Sequence, residues 1–168
     1  MPTVSASAIE RSFATSHATM ALVLFVVPGI LAMLVEPIVF LYADRYPRAW
    51  FIRGGITLMA GAAILAAIAP NPIVLSIAVA LAWIGTGASV SLAQATLVDR
   101  TPEQRGRTMA RWTMLSTAGD LAGPLLLGGL AFVGLGWRAG YLVMGGLLAI
   151  AAVVTWMTQV PSGRGTDD

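Results

Sequence analysis

Two carboxylates, Asp120 and Glu36, lie inside long apolar stretches of the sequence. Glu36 precedes Asp44 by eight residues and Asp120 follows Arg111 by nine, so each lies about 12 to 14 Å from a charged end at the rise of a helix. A charged acid near the middle of a membrane costs about 2.5 to 3.5 kcal/mol, and such residues face a cavity or a partner group. We interpret both as proton-carrying or cation-binding carboxylates that face one pathway. The alternative is a protonated or hydrogen-bonded acid that only holds helices together.

The third apolar stretch carries further candidates for a pathway. Gln94 has an amide that can hydrogen-bond a solute, and Ser89 and Thr96 have hydroxyl groups that can do the same. Within helices such side chains more often bond the preceding turn or a neighbouring helix. Trp83 lies deeper than the other tryptophans, which fall near predicted helix ends. We predict that Trp83 lines the pathway.

The composition is typical of a membrane protein. Of the 168 residues 57% are hydrophobic and 11% charged, and the mean hydropathy is +0.81; a soluble domain has more charge. All ten basic residues are arginines in loops and at the ends of apolar stretches, which indicates contact with lipid headgroups and disfavours a nucleic-acid partner. The absence of cysteine excludes disulfides and thiolate metal sites. We predict no metal site and no cofactor.

Five stretches are long enough to cross a membrane, which takes about 20 apolar residues in a helix. They are long and do not alternate in polarity, so helices are favoured over barrel strands. We predict an all-α integral membrane protein with a polar N-terminal segment (1–17), a membrane domain (18–159) and a polar tail (160–168). Pro28 and Pro37 predict a kinked or broken first helix. The predicted spans are about 18–42, 49–69, 73–98, 109–133 and 139–159.

The arginines predict the orientation. Eight lie in two alternate loops and the tail, and two, Arg11 and Arg138, lie on the opposite side. Because cytoplasmic loops are rich in Arg and Lys, the eight belong in the cytoplasm. We therefore expect a multi-pass protein of the cell membrane, a bacterial inner membrane, with its N-terminus outside as the chain stands. Since one more helix upstream would return the N-terminus to the cytoplasm, we expect that a first helix is missing.

An arginine-rich loop, residues 99–111, leads into a helix with several glycines. Small residues let a second helix approach closely, and proline lets a helix bend. We predict that this helix is a packing surface and a hinge, formed by Gly119, Gly123, Pro124, Gly128 and Gly129.

The loop after the first span carries a family resemblance. It reads Phe40-Leu-Tyr-Ala-Asp44-Arg45-Tyr-Pro47-Arg48-Ala and resembles the Gly-x-Leu-Ala-Asp-Arg-x-Gly-Arg-Arg loop of the major facilitator superfamily, with Phe40 and Pro47 in place of the glycines. By resemblance, Asp44, Arg45 and Arg48 belong to a cytoplasmic gate. In such a gate an acid can pair with an arginine or with a helix N-terminus.

The fourth span and its flanks extend this resemblance. The family's GxxxGPxxGG pattern is matched by residues 119–129 with one additional residue before the final glycine pair, and residues 102–107 and 136–138 also look like the family's. The family often has an arginine four residues before a Gly-x-Gly; here Leu81 precedes Gly85-Thr86-Gly87. The resemblance implies the N-terminal six-helix half of such a transporter, without its first helix.

We predict secondary active transport of a small solute by alternating access, in which helices rock around a site near the middle of the membrane. One half cannot form the usual cavity between two halves, so we expect a missing second half or another copy of the chain as partner. The alternative is a small non-transporting membrane protein that acts as an assembly or regulatory partner through its Gly-rich helix faces. An enzyme is disfavoured, because the sequence has no HExxH spacing and its one histidine cannot complete a serine triad.

Overall fold

A computed structural model of the protein describes residues 2–158. Its helices are α1 (Pro2–Phe13), α2 (His17–Ala43), α3 (Arg48–Ala67), α4 (Pro72–Arg100), α5 (Arg105–Phe132) and α6 (Trp137–Met157). A short 3-10 turn, Pro102–Gln104, precedes α5. Helices α2 to α6 are long and apolar enough to cross a membrane, which confirms the predicted five-helix membrane fold. The predicted tail, residues 160–168, lies outside the described residues.

Helix α3 is the centre of the bundle and packs against both α4 and α6. Its buried positions are mostly alanine and glycine, and small residues let helix backbones approach closely. The closest approach joins Gly55 of α3 to Gly85 of α4, where a Cβ added to Gly55 would lie 2.6 Å from the Gly85 carbonyl oxygen. A Cβ on Gly145 of α6 would likewise lie 2.9 Å from the Ile64 side chain. Glycine at these positions therefore sets the spacing of the three central helices.

Two arginines connect the ends of the antiparallel pair α3 and α6. Arg53, near the start of α3, donates to the carbonyl oxygens of Thr155 and Thr158 at 2.9 and 2.7 Å. Arg138, at the start of α6, donates to the carbonyl oxygen of Ala69 just beyond α3 at 2.7 Å. The last carbonyls of a helix have no partner within it and carry partial negative charge, so a guanidinium both satisfies and stabilises them. Each helix thus supplies the arginine that caps the other.

Helices α2 and α4 each contain a π-helical segment. In α2 the segment is Leu22–Val26, immediately before Pro28, and the helix runs continuously from His17 to Ala43. Of the two predicted outcomes, a kinked or a broken first helix, the helix is not broken; a π segment changes its hydrogen bonding ahead of the proline. The segment in α4 is Gly87–Ser91.

Helix α1 lies across one end of the bundle. Ile9 is fully buried among residues of α2, α4 and α6, and the indole of Trp137 donates to the Ser12 hydroxyl at 3.0 Å. Glu10 pairs with the imidazole of His17 at 2.5 Å. The sequence analysis treated this segment only as polar, whereas its helix packs Ile9, together with the partly buried Ala6, Ala8 and Phe13, against the bundle.

Helix α5 is the least packed of the five long helices. Only 6% of its apolar stretch is buried within the molecule, compared with 44% for α4. Its clearest contact is near its C-terminal end, where Leu127 packs directly on Gly140 of α6. The middle of α5, which carries Asp120, therefore has few neighbours in the described part of the chain.

Candidate functional site

A partly open cavity of about 380 Å³ lies between α3, α4, α5 and α6. We call it the Asp120 cavity. Its volume is in the range of small-molecule sites. Alanine, methionine, valine and leucine side chains form most of its wall, and one charged residue, Asp120, lines it. The lining residues are Met59, Ala62, Ala63, Ala66, Ala78, Val79, Ala82, Trp83, Thr86, Asp120, Tyr141, Met144 and Leu148.

Asp120 lies at the open side of this cavity, because it lines the cavity and is itself exposed. Its carboxylate has no hydrogen bond or ion pair with the described residues. The alternative for this residue was an acid that is hydrogen-bonded between helices. Within residues 2–158 the Asp120 carboxylate makes no such bond. A carboxylate without a partner inside a membrane span is a candidate to bind a cationic group.

Tyr141 is a polar residue of the cavity that the sequence analysis missed. The residue is 7% exposed, and its hydroxyl group has no hydrogen-bond partner within the described residues. Its ring packs edge-on against Trp137 with centroids 5.9 Å apart, which holds the side chain in place. A tyrosine four residues into an apolar span gave a weak indication, because tyrosine is also common at membrane interfaces.

Glu36 lines a second cavity, of about 560 Å³, that we call the Glu36 cavity. A Cβ on Gly87 would lie 2.6 Å from a Glu36 carboxylate oxygen, so the carboxylate rests on the start of the π segment of α4. Glu36 has no hydrogen bond within the described residues. The cavity is lined by Gly29, Ala32, Met33, Glu36, Pro37, Phe40 and Trp83.

Trp83 lines both cavities. Its indole ring also packs near Gly29 of α2, where an added Cβ would lie 3.4 Å from the ring. The structure therefore separates the two acids that we expected to face one pathway: each has its own cavity, and Trp83 is the wall between them. Helical rise gives the depth of a residue but not the direction in which it faces.

The polar residues of α4 lie outside the two cavities, except Thr86. Gln94 is exposed and its amide nitrogen lies 3.6 Å from the sulfur of Met109. The hydroxyls of Ser89 and Thr96 each donate at 2.7 Å to the carbonyl four residues earlier. This is the local bonding that such side chains prefer in helices.

The predicted gate residues lie at the end of the bundle where α3 begins. Arg48 donates to the Asp99 carboxylate at 2.7 Å, joining the start of α3 to the end of α4. Asp44 ends α2, and its amide bonds the Phe40 carbonyl, while Arg45 is exposed beside it. The sequence analysis did not include Asp99 among the gate residues, although it opens the arginine-rich loop.

Neutralising Asp99 is expected to change stability little. The Asp99 side chain is half exposed, and solvent-exposed ion pairs contribute about 0 to 1 kcal/mol. We expect Asp99→Asn to lower the free energy of unfolding by less than about 1 kcal/mol, measured as a small shift in the melting temperature of the detergent-solubilised protein. A large loss of stability would show that the pair is part of a wider network.

Three of the four predicted packing glycines of α5 have open space beside them among the described residues. A Cβ added to Gly119, Gly128 or Gly129 would have no atom within 4 Å. Gly123 is partly buried and Pro124 lies exposed within the continuous helix. Gly119, Gly128 and Gly129 are therefore open to a further helix or to lipid.

Comparison with known proteins identifies the family. The family model described as Major Facilitator Superfamily matches residues 1–168. No curated protein and no solved structure matches the chain. The family match agrees with the five apolar helices and with the loop and glycine patterns in the sequence. The chain is a multi-pass membrane protein that belongs to the Major Facilitator Superfamily of transporters.

Proposed function

We propose that this chain carries out secondary active transport of a small solute by alternating access, as part of a larger transporter. The observation that carries the proposal is the unpaired carboxylate of Asp120 at the open side of an apolar cavity. Binding of a cation to this carboxylate would change the charge of the site. A site of this kind couples the movement of a solute to an ion gradient.

The weak packing of α5 supports a moving role for this helix. Near its start the hydroxyls of Thr101 and Thr108 lie 3.1 Å apart, and near its end Leu127 packs on Gly140. Asp120 lies between these two contacts. Segments with few buried apolar contacts cost little to displace, so the helix that carries the acid can shift while α3, α4 and α6 keep their packing.

Glu36 is the second acid of the proposed pathway. Its carboxylate rests on the π segment Gly87–Ser91, and π segments are frequent at functional sites. Trp83 separates the two cavities, so a change in the position of its ring connects or isolates the two acids. Gln94 lies near the end of α4 that leads into the arginine-rich loop, and we place it on the pathway between the Asp120 cavity and that loop.

In this proposal Asp44, Arg45 and Arg48, together with Asp99, form the cytoplasmic gate. The Arg48 to Asp99 contact holds the start of α3 against the end of α4, and its release would loosen that end of the bundle. The orientation follows from the arginine asymmetry of the sequence. It places this end in the cytoplasm of a bacterial cell and the N-terminus of the chain outside the inner membrane.

A second half, or another copy of the chain, is the proposed partner. Helix α5 exposes Met114, Leu115, Leu121, Leu125 and Phe132, and three of its glycines have no neighbours among the described residues. Exposed apolar side chains can face lipid without cost, but glycines on a helix surface favour the close approach of another helix. The exposed glycines of α5 therefore offer positions at which a partner helix could approach closely.

Alternating access is testable without knowing the solute, because the protein contains no cysteine. We would introduce a single thiol by the substitution Ala82→Cys in the wall of the Asp120 cavity. Right-side-out and inside-out vesicles from cells that make this variant would be treated with a membrane-impermeant maleimide. We expect the thiol of the Ala82→Cys variant to be labelled from both sides, and more slowly than a thiol in a loop.

Two exposed loop positions at opposite ends of α5 serve as controls. Glu103→Cys is expected to react only from the cytoplasmic side and Leu135→Cys only from the outer side. Labelling of the Ala82→Cys variant from one side only, or from neither, would contradict alternating access and favour the assembly-partner alternative. Reversed labelling of the two controls would overturn the proposed orientation.

A further inference from the structure

We propose that the start of helix α5 binds an anionic phospholipid, whose phosphate is held by Arg107 and Arg111 and whose acyl chains lie against Met114 and Leu115. We call these four residues the lipid face. Such a site differs from general contact between arginines and headgroups, because it prefers lipids of net negative charge. Binding of the lipid is independent of the proposed transport and is measured without it.

The arginines around the start of α5 differ from the others in having no partner. The arginines of α1, α3 and α6 each donate to a carbonyl or carboxylate oxygen. Four arginines between the end of α4 and the second turn of α5 are exposed and make no hydrogen bond or ion pair with the described residues: Arg100, Arg105, Arg107 and Arg111. The same stretch, residues 100–111, contains one acid, Glu103. It therefore carries an excess of positive charge that an anion can balance.

The positions of these charges are unfavourable unless an anion is bound. Arg107 and Arg111 are four residues apart, so they are neighbours on one face of α5, and like charges at this spacing destabilise a helix. Both lie near the N-terminal end of α5, which has a positive partial charge, and the first turn of this helix contains no acidic residue. A phosphate between the two guanidinium groups offsets this repulsion. Arginine also matches phosphate oxygens in geometry, because it can donate two parallel hydrogen bonds to them.

The lipid face is directed away from the bundle. Asp120 follows Arg111 by nine residues, which is about two and a half turns of a helix, so the two side chains lie on opposite sides of α5. Because Asp120 lines the cavity between the helices, Arg111 is directed outward. Met114 and Leu115 follow by about one turn on the same side and are 66% and 68% exposed. A headgroup held by the arginines therefore leaves its acyl chains beside apolar side chains.

The length of α5 places the arginines at the level of the headgroups. The helix has 28 residues, or about 42 Å at helical rise, whereas the hydrocarbon core of a membrane is about 30 Å thick. Its other end is apolar up to Phe132, so the excess length lies at its start. Trp112 is partly buried there, and tryptophan is enriched at the boundary between lipid and water. Clusters of about four to eight basic residues immediately beside a membrane span are typical of sites for anionic lipids.

The test is a lipid titration of the whole detergent-solubilised chain, followed by native mass spectrometry. The probes are phosphatidylglycerol, which has a net negative charge, and phosphatidylcholine with the same acyl chains, which has none. Arg107→Gln and Arg111→Gln are made singly and together. The matched control is Arg11→Gln, which removes an exposed arginine from α1. Glycerophosphoglycerol, the same headgroup without acyl chains, distinguishes a lipid from a soluble phosphate ester.

We expect the wild-type protein to bind phosphatidylglycerol at least about tenfold more tightly than phosphatidylcholine, since several arginines each favour the anionic lipid. Each arginine removed from the lipid face weakens binding of phosphatidylglycerol about fivefold, and removal of both weakens it about 25-fold. Arg11→Gln leaves this binding unchanged, and glycerophosphoglycerol does not bind where the lipid saturates.

Three results would overturn the proposal. They are equal binding of the two lipids to the wild-type protein, equal weakening by Arg11→Gln and Arg111→Gln, and binding of glycerophosphoglycerol as tight as that of the lipid. Equal binding of the two lipids would favour an acidic protein segment as the partner of these arginines. Labelling of the Ala82→Cys variant does not depend on any of these results, so lipid binding and transport can fail separately.

Discussion

Replacing Gly55 with alanine is expected to destabilise the protein by about 3 kcal/mol, the upper part of the usual range for an overpacked interface. The added Cβ would lie 2.6 Å from the Gly85 carbonyl oxygen and 2.9 Å from the backbone nitrogen of Ser89. Both atoms belong to the backbone of α4, so no side-chain rotation relieves the contact. Helices α3 and α4 must separate, which removes the packing around both cavities.

The adjacent glycine provides a matched control. Gly54 is exposed, and a Cβ there would have no atom within 4 Å. Alanine is the better helix former by up to about 1 kcal/mol, so Gly54→Ala is expected to keep or slightly raise stability. The measurement is the temperature at which the detergent-solubilised protein loses its single peak in size-exclusion chromatography. Equal melting temperatures for the two variants would contradict the close approach of α3 and α4.

The five membrane helices could be predicted from the sequence because their determinant is local. A long apolar run must pair its backbone groups within itself when water is absent, so composition and length suffice. The role of Arg53 depends on its neighbours, since its guanidinium binds carbonyls of α6 about a hundred residues away in sequence. The sequence indicated only that it lies near a helix end. The π segments were also beyond prediction, because they depend on how each helix meets its neighbours.

The candidate site was predictable in part for a similar reason. An acid in an apolar run is conspicuous in sequence, and this identified Asp120 and Glu36. Their separation by Trp83 depends on the directions in which α2, α4 and α5 face, which no local pattern specifies. Tyr141 becomes conspicuous only once its hydroxyl is seen to be buried without a partner among the described residues. The pairing of Arg48 with Asp99 likewise depends on how the start of α3 and the end of α4 are brought together.

Neutralising Asp120 is expected to lower transport at least tenfold. Asparagine has nearly the same shape as aspartate, so Asp120→Asn leaves the cavity volume unchanged, but it neither takes up a proton nor balances a cation. Hydrogen bonds to charged groups contribute about 1.5 to 3 kcal/mol, and about 1.4 kcal/mol corresponds to a factor of ten. The measurement is uptake and efflux in membrane vesicles of whichever radiolabelled solute the wild-type protein accumulates from a panel of small solutes.

Measuring transport and thiol labelling in the same variants distinguishes the two roles that Asp120 can have, coupling the solute to an ion or only facing a partner helix. If Asp120 couples the solute to an ion, Asp120→Asn loses flux, while the double variant with Ala82→Cys is still labelled from both sides because the helices continue to move. Glu103→Gln, in the exposed turn before α5, keeps the wild-type flux. Unchanged flux in Asp120→Asn would remove the residue from the mechanism, and its carboxylate would then be a tolerated charge facing a partner helix. Glu36, whose carboxylate rests on the π segment, would become the acid to test next.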